Sequence, residues 1–226
     1  MEKFLYDKEV ECPICKNNFS TKKVRTRALR VQKRDEDFCV TYKDINPIYY
    51  HMWICPECGY SASESEFNNV SKEQKEVFDD RVRKRWKKRA FGSDRSFEEA
   101  EESYKLAILT GQILKKSQGY IASLCLKLAW LYREQNHEKE RDFLKYALSY
   151  FEDAYQNERF PIGGLDEVSL AYLVGELNRR VGDPKESISW YAKALDHPDI
   201  KKHRQIQLKA REQWRLAREQ HQKKVD

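Results

Sequence analysis

From residue 71 onward, apolar residues recur three and four positions apart, which is the period of an amphipathic helix. Ile121, Leu124, Leu128 and Tyr132 follow this spacing on one stretch of the chain. Breaks that contain glycine or proline interrupt the pattern, because these residues end helices. The pattern therefore predicts seven helices, over residues 71–90, 96–117, 119–135, 138–157, 166–181, 184–196 and 200–223.

The first 70 residues follow a different pattern, in which short β-prone runs alternate with charged and turn-forming stretches. Strands are predicted within Val24–Val31, Thr41–Tyr42 and Ile48–Ile54. The change of pattern predicts three parts: a small β-containing domain over 1–70, a basic connecting helix over 71–92 and a helical domain over 93–226. The predicted fold class is mostly α.

The helices carry a spacing that is typical of tetratricopeptide repeats, in which a small residue is followed by an aromatic four positions on and an alanine three further on. Two segments match it: Ser187, Tyr191 and Ala194, and Ala100, Tyr104 and Ala107. A weaker copy ends at Ala147, so the copies lie 40 and 47 residues apart, against about 34 in a regular repeat. We predict an antiparallel α-hairpin solenoid; the alternative is a generic bundle of helical hairpins.

Composition narrows the class of protein. Of the 226 residues, 35% are charged and 40% are hydrophobic, which is too apolar for a wholly disordered chain. No apolar run approaches the ~18 residues of a membrane helix, and the N-terminal segment lacks the apolar region of a secretory signal. We expect a cytoplasmic protein without a membrane span.

Four of the six cysteines form two C-x-x-C pairs, Cys12-Pro-Ile-Cys15 and Cys55-Pro-Glu-Cys58. Such a turn brings two thiolates to one metal ion, and Gly59 can adopt the positive φ that a knuckle of this kind needs. Two pairs complete a tetrahedral four-cysteine site, which zinc favours. The sequence predicts one structural Zn²⁺ per chain, in a zinc-ribbon-like domain. Whether this zinc is permanent or sensed stays open.

Outside the two cysteine pairs, three residues are candidate metal ligands or nucleophiles. Cys39 and His51 are reserve ligands that are better interpreted as strand residues, and Cys125 lies on the apolar stripe of its helix. A redox pair would need a βαβ setting that neither C-x-x-C has. No catalytic residue is predicted. An enzymatic function would require Cys39 or His51 to act at a metal ion with an open coordination position, and nothing in the sequence indicates such a site. The glycine pair before Asp166 is interpreted as a turn, with Asp166 as the N-cap of the next helix.

The whole chain resembles the bacterial family catalogued as domain of unknown function 2225, found mainly in Gram-positive bacteria and related groups. The resemblance rests on Cys12-Pro-x-Cys15, Asn46-Pro47-x-Tyr49-Tyr50 and Cys55-Pro-x-Cys58-Gly59-Tyr60, followed by tetratricopeptide-like helices. It implies a zinc ribbon fused to a helical repeat, and it implies no activity, substrate or partner.

Our first functional hypothesis is a non-enzymatic adaptor, whose helical repeats form a groove that binds a protein or peptide. The groove is expected on the inner helices of the predicted repeats, where polar and aromatic side chains bind extended segments. The candidate partner-binding residues are Tyr104, Lys127, Arg133, Asn178 and Arg179.

The alternative hypothesis is a nucleic-acid-associated factor. Residues 81–89 hold seven basic residues in nine, which suits phosphate contacts with an aromatic ring stacked on a base. The candidate residues are Arg83, Arg85, Trp86, Lys87 and Lys88. This hypothesis is the weaker of the two, because residues 1–92 carry 20 Lys and Arg against 15 Asp and Glu, an excess of only +5. The acidic run Asp35-Glu36-Asp37 also lies directly beside the basic stretch Lys22–Arg34, and no complete nucleic-acid-reading motif is present.

Overall fold

The computed structural model describes residues 3–225, and within them the protein is mostly helical with small two-stranded sheets. The strands are β1 (Leu5–Glu11), β2 (Asn18–Val24), β3 (Val31–Arg34), β4 (Val40–Tyr42), β5 (Met52–Ile54) and β6 (Ser61–Ser63). The helices are α1 (Lys72–Arg81), α2 (Phe97–Ile113), α3 (Gln118–Glu134), α4 (Glu140–Asn157), α5 (Glu167–Val181), α6 (Pro184–Asp196) and α7 (Arg204–Val225). None of these helices is long and apolar enough to span a membrane.

The chain forms two compact units. Unit 1 contains the described residues up to Lys33 together with Val40–Lys116, and unit 2 contains Arg34–Cys39 together with the described residues from Ser117 onward. The predicted boundaries at residues 70 and 92 therefore differ from the observed division. Helix α2 was predicted in the helical domain over 93–226, but it lies in unit 1, where it packs on β5, β6 and α1.

Unit 1 is built on two antiparallel hairpins. Strand β1 pairs with β2 from Leu5↔Val24 to Glu11↔Asn18, and β5 pairs with β6 through Trp53↔Ala62. The sheets are too small to bury much apolar surface between themselves. Instead, an aromatic core lies on them, in which Tyr60 contacts Phe67 and meets Phe78 of α1 edge-on at 5.5 Å.

Two predicted strands are shorter or displaced in the structure. The run Val24–Val31 is the end of β2, a 3₁₀ turn over Thr26–Ala28 and the start of β3. In the run Ile48–Ile54, Pro47 begins a 3₁₀ turn that ends at Tyr50, and only Met52–Ile54 is a strand. The Asn46 side chain accepts from the Ile48 N–H, so local capping competes with the β propensity of this run.

The predicted connecting helix over 71–92 is helical only to Arg81. Its start is fixed by a capping box in which Ser71 and Gln74 satisfy each other's backbone N–H groups, as such pairs do at helix N-termini. A 3₁₀ turn follows at Arg83–Arg85 and the chain is extended at Trp86. Seven basic residues in nine repel one another at helical spacing, which weakens a longer helix.

Unit 2 consists mainly of α3 to α7, and each helix packs on the next along the chain. Helices α5 and α6 approach closely, because a Cβ on Gly175 would lie 2.8 Å from the Tyr191 ring. Asp166 caps α5, as predicted, by accepting from the Ser169 N–H. Gly182 ends α5 with φ +90°, and Asp183 caps α6.

Candidate functional site

The first cysteine pair occupies the turn that joins β1 to β2. The Cys12 N–H donates to the Asn17 carbonyl at 2.9 Å, and the Lys16 N–H donates to the Cys12 carbonyl at 3.0 Å. Lys16 takes the left-handed conformation, with φ +63°. The hairpin closes tightly enough to point both thiols to one side of the turn.

The second cysteine pair repeats this geometry between β5 and β6. The Cys55 N–H donates to the Tyr60 carbonyl and the Gly59 N–H to the Cys55 carbonyl, both at 2.9 Å. Gly59 has φ +78°, which is the conformation predicted for it. Trp86 covers this knuckle, because its indole N–H donates to the Pro56 carbonyl and a Cβ on Gly59 would lie 2.5 Å from its ring.

The two knuckles place four sulfurs in one cluster. All four Sγ atoms lie within 4.8 Å of one another, with 3.6 Å between Cys12 and Cys58 and 3.5 Å between Cys15 and Cys55. Sulfurs at the corners of a zinc tetrahedron are about 3.8 Å apart, given a Zn–S distance of about 2.3 Å. The donor set and its spacing therefore fit a tetrahedral metal ion, and zinc is the ion that such thiolates favour.

The electrostatics of the cluster favour a bound cation. The pKa of Cys55 is lowered, chiefly because the Cys12 thiol donates a hydrogen bond to its thiolate. The hydrogen bond with Cys55 raises the pKa of Cys12, the hydrogen bonds with Cys12 and Cys55 raise the pKa of Cys58, and burial raises both further. The thiols thus compete for one negative charge, and a divalent ion removes this competition by stabilising every thiolate together.

The other cysteines and His51 lie outside the cluster. Within the described residues, the four clustered cysteines form the one group with metal-ligand geometry. Cys39 is buried in the segment between β3 and β4 rather than in a strand, and burial raises its pKa to about 12. Cys125 is buried on α3, as predicted, and burial raises its pKa to about 12 as well. His51 is exposed at the end of the Pro47–Tyr50 turn.

The basic run predicted as a nucleic-acid surface is engaged within unit 1. Arg83 pairs with Asp79 at 3.3 Å, Lys88 with Glu57 at 2.5 Å, and Arg85 donates to the Arg81 carbonyl. Lys87 is exposed. Trp86, which was predicted to stack on a base, packs its ring on the second knuckle in this structure.

A second site, which the sequence did not predict, lies in unit 2. It is formed around the segment Arg34–Cys39, which we call the acidic turn. The Asp37 carboxylate is fully buried, accepts from Arg133 at 2.6 Å and from the Trp130 indole at 3.1 Å, and lies 3.7 Å from Arg180. Burial opposes the charge, but the hydrogen bond from Arg133 and the charge of Arg180 outweigh it, so the pKa of Asp37 is lowered.

The neighbours of Asp37 are held just as specifically. The Glu36 carbonyl accepts from the Tyr172 hydroxyl at 2.9 Å, and the Glu36 carboxylate pairs with Lys209 at 2.6 Å. The Phe38 ring packs on the Tyr172 ring, with centroids 5.5 Å apart. The acidic turn therefore contacts side chains of α3, α5 and α7, which are alternate helices of the unit.

A buried glutamate organises the cations of this site. The Glu176 carboxylate is fully buried and accepts from Arg179, Arg180 and the Tyr191 hydroxyl, each at 2.7 Å. Arg180 thus lies between the carboxylates of Glu176 and Asp37. This arrangement restricts the guanidinium groups to one orientation, as polar networks with satisfied partners do.

The predicted partner-binding residues separate in the structure. Arg133 binds the acidic turn, and Arg179 lies beside it as a partner of Glu176. Lys127 is half-buried on α3, and burial lowers its pKa to about 8. Asn178 is buried and donates to the Val174 carbonyl, so it is unavailable to a partner. Tyr104 is also unavailable, because it is fully buried in unit 1 with its hydroxyl on the Ile48 carbonyl.

Comparisons with known proteins give a family model and one distant relative. The model, described as an uncharacterized protein conserved in bacteria (DUF2225), matches residues 5–217. An uncharacterized protein of Borreliella burgdorferi is 26% identical over 171 residues, which cover 67% of this chain and 61% of that protein. The chain thus spans about three fifths of the length of this relative. No solved structure matches. Neither description states an activity or a partner.

Proposed function

The chain belongs to the bacterial family DUF2225, and on that premise we propose that it is a non-enzymatic, zinc-binding interaction adaptor of the cytoplasm. The four-cysteine centre stabilises unit 1, and the face of α3, α5 and α7 binds an extended segment of a partner protein. Four thiolates close a tetrahedral site and leave no position for water or substrate, so the metal is structural.

One observation carries the proposal: the face of α3, α5 and α7 already holds a short segment, the acidic turn, through side chains. Five side chains of these helices bind the acidic turn, namely Trp130, Arg133, Tyr172, Arg180 and Lys209. Alternate helices share one face in tetratricopeptide solenoids, which bind peptides on that face. The close packing of Tyr191 on Gly175 supports the same repeat architecture.

Affinity capture from the lysate of the source bacterium, read by quantitative mass spectrometry, tests this proposal. The bait is the full chain, and the matched control carries Arg133→Gln and Lys209→Gln. A partner recovered by the wild type and lost with the control supports the adaptor role. Partners retained equally by both baits would contradict it.

The nucleic-acid alternative has less support, because Trp86, Arg83 and Lys88 are engaged within unit 1. It makes a distinct prediction, since binding through phosphates falls steeply between 50 and 200 mM salt. The bait experiment repeated with nuclease treatment separates the two: a partner that depends on nucleic acid disappears, whereas a protein partner stays.

A further inference from the structure

The acidic turn is bound in the manner of a peptide ligand rather than as part of a sheet. It forms the turn between β3 and β4, in which the Phe38 N–H donates to the Asp35 carbonyl at 3.1 Å. Its contacts with the helices come from four consecutive residues, the first of which, Asp35, pairs with Arg133 at 3.2 Å. Asp37 uses Arg133, Trp130 and Arg180; Glu36 uses Lys209 and Tyr172. Phe38 packs on the ring of Tyr172. Four adjacent positions of a tight turn are thus recognised by charge, by hydrogen bonding and by shape.

The helices themselves present a face that requires an anionic ligand. Arg133 also pairs with Glu140, and Arg180 also pairs with Glu176, so these two cations keep one partner each without the acidic turn. For Lys209 and the Trp130 indole, the partners found among the described residues are Glu36 and Asp37. Removing the turn leaves a cationic pocket whose donors point to one place.

On these grounds, and resting on the proposed function, we propose that this face recognises a partner segment with two consecutive acidic residues followed by an aromatic, as in Glu-Asp-Phe. The chain's own Glu36-Asp37-Phe38 occupies the face and competes with the partner. A segment without the central carboxylate would leave the Trp130 indole desolvated without its acceptor and would leave Arg133 without its closest carboxylate, which is how buried polar groups reject a wrong ligand. Because the acidic turn belongs to the same chain as the face, its effective concentration at the face is high. A partner therefore binds only when its segment has a higher affinity for the face or when the turn is released.

Fluorescence anisotropy on the full chain tests this proposal. The probe is a labelled synthetic peptide with the sequence of residues 32–41, carrying Cys39→Ser to prevent oxidation. The protein is compared as wild type and with Asp37→Ala and Phe38→Ala, which together remove the buried carboxylate and the aromatic ring from the face; we call this variant the vacated chain. We expect the vacated chain to bind the peptide at least tenfold more tightly than the wild type does. Adding Arg133→Gln should abolish that binding.

A matched peptide with Asp37→Asn controls for charge-independent binding and should bind the vacated chain at least tenfold more weakly. If the vacated chain binds neither peptide, or binds both equally, the proposal is overturned. Circular dichroism at 222 nm establishes that the vacated chain is folded. If it is not, the single variant Phe38→Ala, which keeps the Asp37–Arg133 pair, replaces it with the same expected and contradicting results.

A random-peptide display selection on the vacated chain separates this inference from the adaptor role. Enrichment of an acidic-Asp-aromatic consensus supports both. A different consensus that is lost with Arg133→Gln overturns the inference and leaves the adaptor role standing, and no enrichment contradicts both. A concentration-dependent wild-type dimer that Asp37→Ala abolishes would assign the face to a second copy and overturn the foreign partner.

Discussion

The four-cysteine cluster and the acidic turn both bury side chains that can carry negative charge. The two sites differ in where the compensating positive charge comes from. The thiols of Cys12 and Cys58 lie 3.6 Å apart in a four-sulfur cluster with metal-ligand spacing, and in the proposed zinc site a bound metal ion would supply the positive charge. The carboxylate of Asp37 receives its cations from the chain itself, through Arg133 and Arg180. The first site should therefore depend on metal, and the second on particular arginines.

Removing the metal should have the largest effect. Cys12→Ser or Cys55→Ser should reduce bound zinc from one per chain to near zero and unfold the hairpins of unit 1. The reason is that a structural zinc contributes on the order of 10 kcal/mol to a small metal-dependent fold. Metal analysis by mass spectrometry and thermal unfolding followed by circular dichroism measure both effects.

The matched control is Cys125→Ala, which removes a buried thiol outside the cluster. It should keep full zinc content and lower stability by about 1–2 kcal/mol, as a small cavity does. Full zinc content in Cys55→Ser would show that the cluster is not the metal site.

Breaking the Asp37–Arg133 pair should have the next largest effect. Arg133→Ala should destabilise unit 2 by about 3–5 kcal/mol, because it leaves a buried carboxylate with one fewer cation. Zinc content should not change. Urea unfolding followed at 222 nm measures the loss, and Arg215→Ala, which removes an exposed pair with Glu219, serves as the control. A loss below about 1 kcal/mol, the usual value of a surface pair, would contradict this account of the site.

Two glycines of similar φ test the packing of Trp86 on the second knuckle: Gly59, which lies in that knuckle, and Gly164, which lies outside it. Gly59→Ala should cost about 2–4 kcal/mol, since it adds a clash with Trp86 to the strain of a left-handed residue. Gly164→Ala, with φ +83° and no atom within 4 Å of the added Cβ, should cost about 1–2 kcal/mol from strain alone. Thermal unfolding of both zinc-loaded variants measures the difference. Equal losses would mean that Trp86 does not cover the knuckle.

Acid should weaken the acidic turn, with the smallest effect of the four. The pKa of Asp37 is lowered in the folded state, so its ionisation contributes stability above the unfolded value of about 3.9. That contribution is lost as the pH falls through the folded pKa. The stability difference between wild type and Asp37→Asn should therefore be constant from pH 5 to 7 and shrink below about pH 4. A difference that grows with acid would contradict the sign of the shift.

The sequence predicted what is local in the chain. The C-x-x-C spacing identified all four clustered cysteines, the glycine after the second pair predicted its positive φ, and the helical period placed α3 to α6 within about two residues. These features depend on neighbours a few positions away. The β1–β2 hairpin was missed, because its strands LYDKEVE and NFSTKKV carry many charges and few apolar residues.

What depends on distant residues was not predicted. Asp37 and Arg133 are 96 positions apart, and nothing in the local pattern of either residue indicates the other. The run Asp35-Glu36-Asp37 was interpreted only as a counterweight to the basic stretch beside it. The one available signal in the sequence was the aromatic residue that ends the acidic run, Phe38 after Asp37. An aromatic side chain at that position favours packing against the protein over exposure to solvent. Tyr104 matched the repeat spacing and yet lies in unit 1, because the spacing alone does not show which surface a helix buries.

Hydrogen exchange of the full chain before and after zinc chelation tests the central contrast most directly. The account predicts that chelation exposes the amides of β1, β2, β5 and β6 to exchange, while residues 34–39 and helices α3 to α7 keep their protection. Loss of protection around Asp37 on chelation, or retention of protection in the four strands, would contradict it.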